Sequence, residues 1–308
     1  MDYNRAISVT GPLKAEEMGT TYVHEHLLVK PQLLDEKYEA YTLDDKAAST
    51  REVESFLKAG GQTIVEMTPI NYGRRVSDYA EISKATGVNI ICCTGYHKQL
   101  FMPKWFAEKT ELQLYDILMD EIENGIDATD IKPGVIKFGT SYNEITNQEK
   151  RAIKAVVRAH KDSGLPISTH CDKGTMGMEQ LKLLEQLGAD LNHVLFCHID
   201  SVMDIEYAKA LCRAGVTICF DHVGREIEAK DYSRIKMIRQ LAEADLLDSL
   251  TLSGDMGKKE YLCAYGGKPG LSYILTDLKA QLEKFLSADD LEKLFILNPM
   301  RIFTKNNT

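Results

Sequence analysis

Eight short apolar runs, separated by longer stretches of helical periodicity, constrain this chain more than any other feature. The runs are TTYVHEH (20–26), TIVEM (63–67), VNIICCTG (88–95), GVIKFGT (134–140), PISTHC (166–171), VLFCHID (194–200), VTICFDH (216–222) and LTLSGD (250–255). Each is rich in β-branched or aromatic residues, as buried strands are. The clearest helical stretch is TNQEKRAIKAVVRAHKDSG (146–164). There Thr146 and Glu149 form a capping-box pattern, and Gly164 sits where a helix stops. MEQLKLLEQLGAD, IEYAKALCRAG and SRIKMIRQLAEADLL follow the same 3.6-residue period. Regular alternation of strand and helix means a parallel sheet with crossover helices. Eight units in 308 residues predict an α/β fold, a closed (β/α)8 TIM barrel. An open doubly wound sheet is the alternative, but no Gly-rich phosphate fingerprint follows the first strand.

Composition agrees with a single domain over residues 1–308. It is 44% hydrophobic and 27% charged, with no linker-like shift and no repeats. The net charge of −9 argues against a nucleic-acid partner. The opening MDYNRAISVTGPLK has no apolar signal core, and no run is long enough to span a membrane. No membrane partner and a cytoplasmic location are therefore expected. The seven cysteines include no C-x-x-C pair, and several lie in strand-like runs where a free thiol behaves as a small hydrophobe.

The first run carries a His-Glu-His triplet, His24–Glu25–His26. A zinc-protease helix needs His-Glu-x-x-His, and Leu28 occupies the place of the second histidine. On a strand, residues two apart share a face, so His24 and His26 act together only from a strand. Taken alone, the triplet is equally compatible with one buried and one surface histidine, both incidental.

The other strand ends decide between these. Ionisable residues fall at the C-terminal ends of the runs: Glu66, Lys137, His170, His198, Asp221 with His222, and Asp255. In a barrel those ends meet on one rim, where active sites are built. The steps from Lys137 to His170 and from His170 to His198 are each about 30 residues, one (β/α) unit. Four imidazoles and a carboxylate on one rim form a metal site by ligand type. With Lys137 there are too many ligands for one tetrahedral ion, so two divalent ions fit better. A plain lysine is cationic and cannot ligate. Carboxylated by CO2, Lys137 becomes an anion able to bridge both.

HEH, the lysine of VIKFG, STH, FCHID, SGDMG and the closing NPMRIF (298–303) together resemble the phosphotriesterase family of the amidohydrolase superfamily. The resemblance runs from about residue 11 to residue 303. It implies a first metal held by His24, His26 and Asp255, and a second held by His170 and His198. Carboxylated Lys137 and a hydroxide lie between them. Zinc is expected, with manganese or cobalt as alternatives. The resemblance also implies that the hydroxide attacks a polarised carbonyl while Asp255 shuttles the proton to the leaving oxygen.

Substrate choice is read from the loops. The stretch after Asp255 carries Lys258, Lys259 and Lys268 with Tyr261, Tyr265 and Tyr273, and the loop after the seventh strand carries Arg225 and Lys230. Basic and phenolic donors suit a small anionic, polyhydroxylated substrate. Surface solvation is the plain alternative for any one lysine. By resemblance to the family's phosphorylated-sugar-lactone hydrolases, Lys258, Tyr261 and Arg225 are expected to hold a phosphate, with Lys230 as the alternative to Arg225. A phosphopentono-1,4-lactone is the expected substrate type. A phosphotriester or other ester is the alternative.

Tyr96 is expected to face the substrate or shield the metals, His222 to stand near the proton path, and Glu66 to support a ligand histidine. His97 reads as a loop residue. His160 and His193 read as structural or exposed. Trp105 suits a lid or an oligomer contact, and a homodimer is compatible with the sequence. Two other classes compete. An aldolase using Lys137 as a Schiff-base nucleophile leaves the four rim histidines without a role. A non-catalytic metal-binding barrel predicts loss of Lys137 or Asp255, and both are present.

Overall fold

The structure, a computed structural model, describes residues 4–33, 36–225 and 230–306. At its centre lie eight parallel strands, neighbours in chain order. Two short strands precede them, β1 (Asn4–Ser8) and β2 (Gly11–Lys14). The eight are β3 (Thr21–Glu25), β4 (Thr63–Glu66), β5 (Asn89–Gly95), β6 (Val135–Thr140), β7 (Ile167–Cys171), β8 (Val194–Cys197), β9 (Thr217–Phe220) and β10 (Leu250–Leu252). Each falls inside one of the eight runs, as the alternation predicts. A last strand, β11 (Lys305–Asn306), joins β1 and β2 in a small antiparallel sheet.

The strands alternate sides as period 2 requires. Val23, Val65, Ile91, Cys93, Val135, Leu195, Cys197 and Cys219 form the barrel interior. Tyr22, Ile64, Ile90, Ile136, Phe138, Phe196, Ile218 and Phe220 pack outward against the helices. Both faces are apolar because both are covered. The β1–β2 hairpin was not expected from the sequence. Its Ala6 and Leu13 join Ile302 and Phe303 in closing the interior at the end opposite the rim. NPMRIF forms the helix Asn298–Phe303, with Pro299 at its first turn. Asn298 Nδ2 donates to Leu247 O at 2.7 Å and Leu250 O at 2.8 Å, locking that helix under β10.

Two features connect the fold to its rim. The helix Asn147–Ser163 starts with the capping box of Thr146 and Glu149 and stops at Gly164 with φ 69°, both as the sequence predicts. The second is the seam between β10 and β3, where no strand ladder forms. Asp255 N donates to His24 O at 3.1 Å, and Ser253 Oγ donates to His24 O at 2.7 Å and accepts from His24 N at 3.1 Å. Among the described residues no helix is long and apolar enough to cross a membrane.

Candidate metal centre and substrate cavity

The C-terminal ends of the strands surround a cavity of about 490 Å³. Its floor is His24, His26, Lys137, His170, His198 and Asp255, all brought together as the strand pattern predicts. The pairing of β3 with β4 shifts register between Tyr22 and Glu25, and both histidines line the mouth. Strand alternation would turn Glu25 away from the two histidines, toward the helix layer, but it does not go there. It is fully buried across the seam, where it accepts from Ser253 Oγ at 2.8 Å, Gly254 N at 2.6 Å and Met256 N at 3.0 Å. These bonds hold the turn that carries Asp255. Asp255 itself has φ 43° and His198 φ 66°, a left-handed backbone that costs a non-glycine residue about 1–3 kcal/mol. Both residues face the cavity.

The donor set fits two cations. One ligand atom each from His24, His26 and Asp255 lie within 4.8 Å of one another. His170 Nδ1 and His198 Nε2 face each other at 2.7 Å. His24 Nε2 and His170 Nε2 are buried with no hydrogen-bond partner among the described residues, and such atoms call for one. Burial, then the charge of Lys137, lowers the His24 pKa to about 3. Burial, then His198, holds His170 well below the usual value. Neutral imidazoles are the form that ligates. Burial would raise the Asp255 carboxyl, but Arg225 and the nearby imidazoles hold it well below the ordinary range. Lys137 is buried, and its Nζ donates to Met67 O at 2.8 Å. Among the described residues no carboxylate pairs with it, and an uncompensated buried ammonium is costly.

A second layer orients the ligands. His198 Nδ1 and Asp221 Oδ1 are 2.9 Å apart, and His24 Nδ1 stands 3.1 Å from Asp221 Oδ2. One buried carboxylate thus addresses a histidine of each half of the site, a role that the strand-7 position alone did not reveal. Glu66 is linked to His26 through a relay: His26 Nδ1 lies 2.7 Å from Thr68 Oγ1, which donates to Glu66 Oε1 at 2.6 Å. His222 stacks on His198 and places Nε2 3.8 Å from Asp255 Oδ2.

The cavity wall departs from expectation in places. Tyr96 does not face the substrate. It is fully buried, its hydroxyl donates to Leu114 O at 2.8 Å and its ring packs on Phe106. His97, expected to be an incidental loop residue, lines the cavity and packs against His170 and Phe101. The reason is parity: the chain leaves β5 so that alternate residues point in. Trp105 lies outside the cavity wall and packs against the core. Leu100 and Phe101, from the same loop, line it instead. His160 and His193 are buried and bonded to Leu165 O and Ile302 O, a structural placement.

Of the loop cations, Lys258 and Arg225 line the cavity with Tyr261. Lys259, Lys268 and Lys230 are exposed and stand outside its wall. Residues 226–229 of that loop lie outside the described residues. Arg225 Nη1 donates to Asp255 Oδ2 at 2.5 Å, and its guanidinium lies 5.0 Å from the Tyr261 ring centroid. Lys258 Nζ lies 4.8 Å from the Tyr41 ring centroid and 5.4 Å from that of Tyr261. Tyr38, Tyr41, Tyr72, Lys98, Asp172, Lys173 and Gly257 also line the cavity. They come from loops, turns and short 3-10 segments between the strands and helices, where neither period nor spacing marks a residue for function.

The model of the phosphotriesterase family matches residues 5–303. The phospho-furanose lactonase of Mycoplasmopsis synoviae (strain 53) is 31% identical over 325 residues, covering 98% of this chain and 92% of that protein. The crystal structure of a lactonase from Listeria monocytogenes superimposes with a TM-score of 0.94 at 33% identity, covering 98% of this chain and 100% of the other. The phosphotriesterase homology protein from Escherichia coli, solved with phosphate in its active site, superimposes with a TM-score of 0.88 at 33% identity, covering 93% and 99%.

Proposed function

Because this chain belongs to the phosphotriesterase family, whose members are binuclear metal-dependent hydrolases, we propose that it is a lactonase opening phosphorylated sugar lactones of the phosphopentono-1,4-lactone type. One observation carries the choice of substrate. The Tyr261 hydroxyl is buried with no hydrogen-bond partner among the described residues, and the cations of Lys258 and Arg225 lie over its ring. A buried hydroxyl without a partner, on a ring that two cations approach, suits a multivalent anion, and phosphate supplies one. The lactonase and phospho-furanose lactonase relatives and the phosphate in the Escherichia coli site support the same reading.

In this proposal His24, His26 and Asp255 would hold one divalent ion and His170 and His198 the other. Zinc is the expected metal. Lys137, once carboxylated by CO2, would supply a further anionic ligand and lose its uncompensated charge. Two ions bound there would polarise the lactone carbonyl and lower the pKa of water. Asp221 fixes the rings of His24 and His198, so their opposite edges stay aimed at the cavity. Asp255 takes the proton from the attacking water and passes it to the leaving ring oxygen. His222, hydrogen-bonded to Ser201 Oγ at 2.7 Å, stands next to Asp255 and orients it. Lys258, Tyr261 and Arg225 bind the phosphate and so fix which carbonyl meets the metals.

The test is a hydrolysis assay on purified protein of known metal content. It compares phosphorylated pentonolactones, their unphosphorylated forms, an acyl-homoserine lactone and an aryl phosphotriester. A strong preference for the phosphorylated lactone supports the proposal. Equal rates with and without phosphate would remove the phosphate clamp, and a preference for the phosphotriester would replace the substrate class.

A further inference from the structure

The cavity has a second polar wall that the phosphate clamp does not use. It lies across the mouth from Arg225 and Lys258, on the loops that follow β5 and β7. Lys98 Nζ and Asp172 Oδ2 form an ion pair at 2.7 Å, and both side chains line the cavity, 16% and 20% exposed. The pair sits beside the histidine cluster, with Asp172 Oδ1 3.6 Å from His170 Nε2. It is built in place. The Lys98 amide donates to His97 Nδ1 at 2.8 Å, and the next amide, of Gln99, donates to Glu149 Oε1 at 2.9 Å. A Cβ added at Gly139 would fall 2.7 Å from Lys98 N, so β6 and this loop are in close contact.

The chemistry of the pair selects its ligand. An ammonium is a donor only, with three N–H bonds, and a carboxylate is an acceptor only, with about four lone-pair sites. Their mutual bond uses one of each. What remains toward the cavity is a donor and an acceptor side by side. Lys173, the next residue, also lines the cavity but sets its Nζ over the Tyr142 ring, 4.8 Å from the centroid. A second phosphate would meet the Asp172 charge, and an apolar tail would strip water from an ion pair without replacing it. A hydroxyl donates and accepts at once, so two vicinal hydroxyls satisfy both partners. In a sugar lactone the ring hydroxyls adjoin the carbonyl, and here the pair adjoins the metal-facing histidines.

We infer that Lys98 and Asp172 form a diol-reading subsite that selects lactones bearing vicinal ring hydroxyls. The inference rests on the lactonase proposal above, and its test separates the two. The first measurement is kcat/KM for a phosphorylated pentonolactone and for its 2,3-dideoxy counterpart carrying the same phosphate, in the metal-loaded protein and in Lys98→Met and Asp172→Asn. The second is calorimetric binding of a pentitol 5-phosphate and its 2,3-dideoxy form, which needs no turnover. Hydrogen bonds to charged groups predict a wild-type preference for the hydroxylated ligand of about ten-fold or more in both measurements. In Lys98→Met that ratio should fall to within about threefold of unity, and in Asp172→Asn it should fall part of the way.

A role confined to orienting His170 would slow both lactones alike and leave the ratio intact in each variant, which overturns the inference. Turnover that depends on the phosphate but not on the hydroxyls overturns the subsite and leaves the lactonase proposal standing. Absent turnover with hydroxyl-dependent pentitol binding, lost in Lys98→Met, does the reverse. Absence of both overturns both.

Discussion

Asp255 carries three demands at one atom pair. Its Oδ1 lies 3.6 Å from His24 Nε2 and 3.3 Å from His26 Nε2, while its Oδ2 accepts from Arg225. Held anionic by those cations and imidazoles, it can ligate and still take a proton. Asp255→Asn keeps a ligating oxygen and loses the base. We expect kcat to fall by about 10²–10⁴-fold, with metal content followed in parallel by elemental analysis. Near-normal turnover at unchanged metal content would remove Asp255 as the proton shuttle. Lys258 makes a different prediction. Its ion pair with Glu260 at 3.3 Å is at the rim, where Glu260 is 62% exposed, and such pairs hold a side chain weakly. It can therefore turn to a phosphate. The ratio of kcat/KM for phosphorylated over unphosphorylated lactone should drop about ten-fold or more in Lys258→Met, and an unchanged ratio would make Lys258 a surface lysine. The six residues on the cavity floor were legible because each ends a strand. Asp221 ends a strand too, but its role depends on which imidazole edges it meets, and only the assembled barrel shows that.

At the scale of the element, the loop after β9 shows how a site residue is held by groups far from the chemistry. Arg234, on the helix Asp231–Ala242, is fully buried. Its Nε donates to Asp200 Oδ2 at 2.6 Å and its Nη1 to Asp231 Oδ1 at 3.4 Å. Asp200 accepts in turn from the amides of Asp221 at 3.3 Å and His222 at 3.2 Å, and Asp231 accepts from the amide of Gly224. One buried cation thus anchors both carboxylates that pin the turn bearing Asp221, His222 and Arg225. Arg234→Met leaves two buried carboxylates without it. We expect a loss of about 3–5 kcal/mol, read as a shift of the urea midpoint, and impaired turnover of every substrate. A loss under about 1 kcal/mol would mean that hydration replaces the cation. This network left no trace in the sequence reading, since Arg234 sits in an amphipathic pattern as an ordinary polar residue. The helices and barrel strands were legible because period and capping are local. The small sheet of β1, β2 and β11 was not, because its strands are two to five residues long and β1 pairs with β11 about 300 residues away.

For the whole molecule, the rim is a charge problem that the apo-protein solves poorly. Burial disfavours the charged form of His24 and His170, while carboxylates outweigh burial at His26 and His198. Lys137 has no counter-anion among the described residues, and Arg225 is drawn onto Asp255. Two bound cations, with Lys137 converted to an anion as proposed, would replace those contacts by ligand bonds, so metal binding and folding stability would be coupled. Ligand present at about a thousand times its dissociation constant stabilises by about 4 kcal/mol. Chelation followed by gel filtration should therefore abolish activity and lower the unfolding midpoint by about 6 °C, a size set by the melting entropy of a chain this long. Reloading separates the two parts of the centre. If Lys137 must be carboxylated, apo-protein given zinc in CO2-free buffer should recover slowly and incompletely, and added bicarbonate should complete recovery and raise the midpoint further. Recovery indifferent to bicarbonate would mean that Lys137 stays an amine and that five side chains alone hold the ions. Full activity with less than a tenth of an equivalent of metal would remove the metal centre from the reaction altogether.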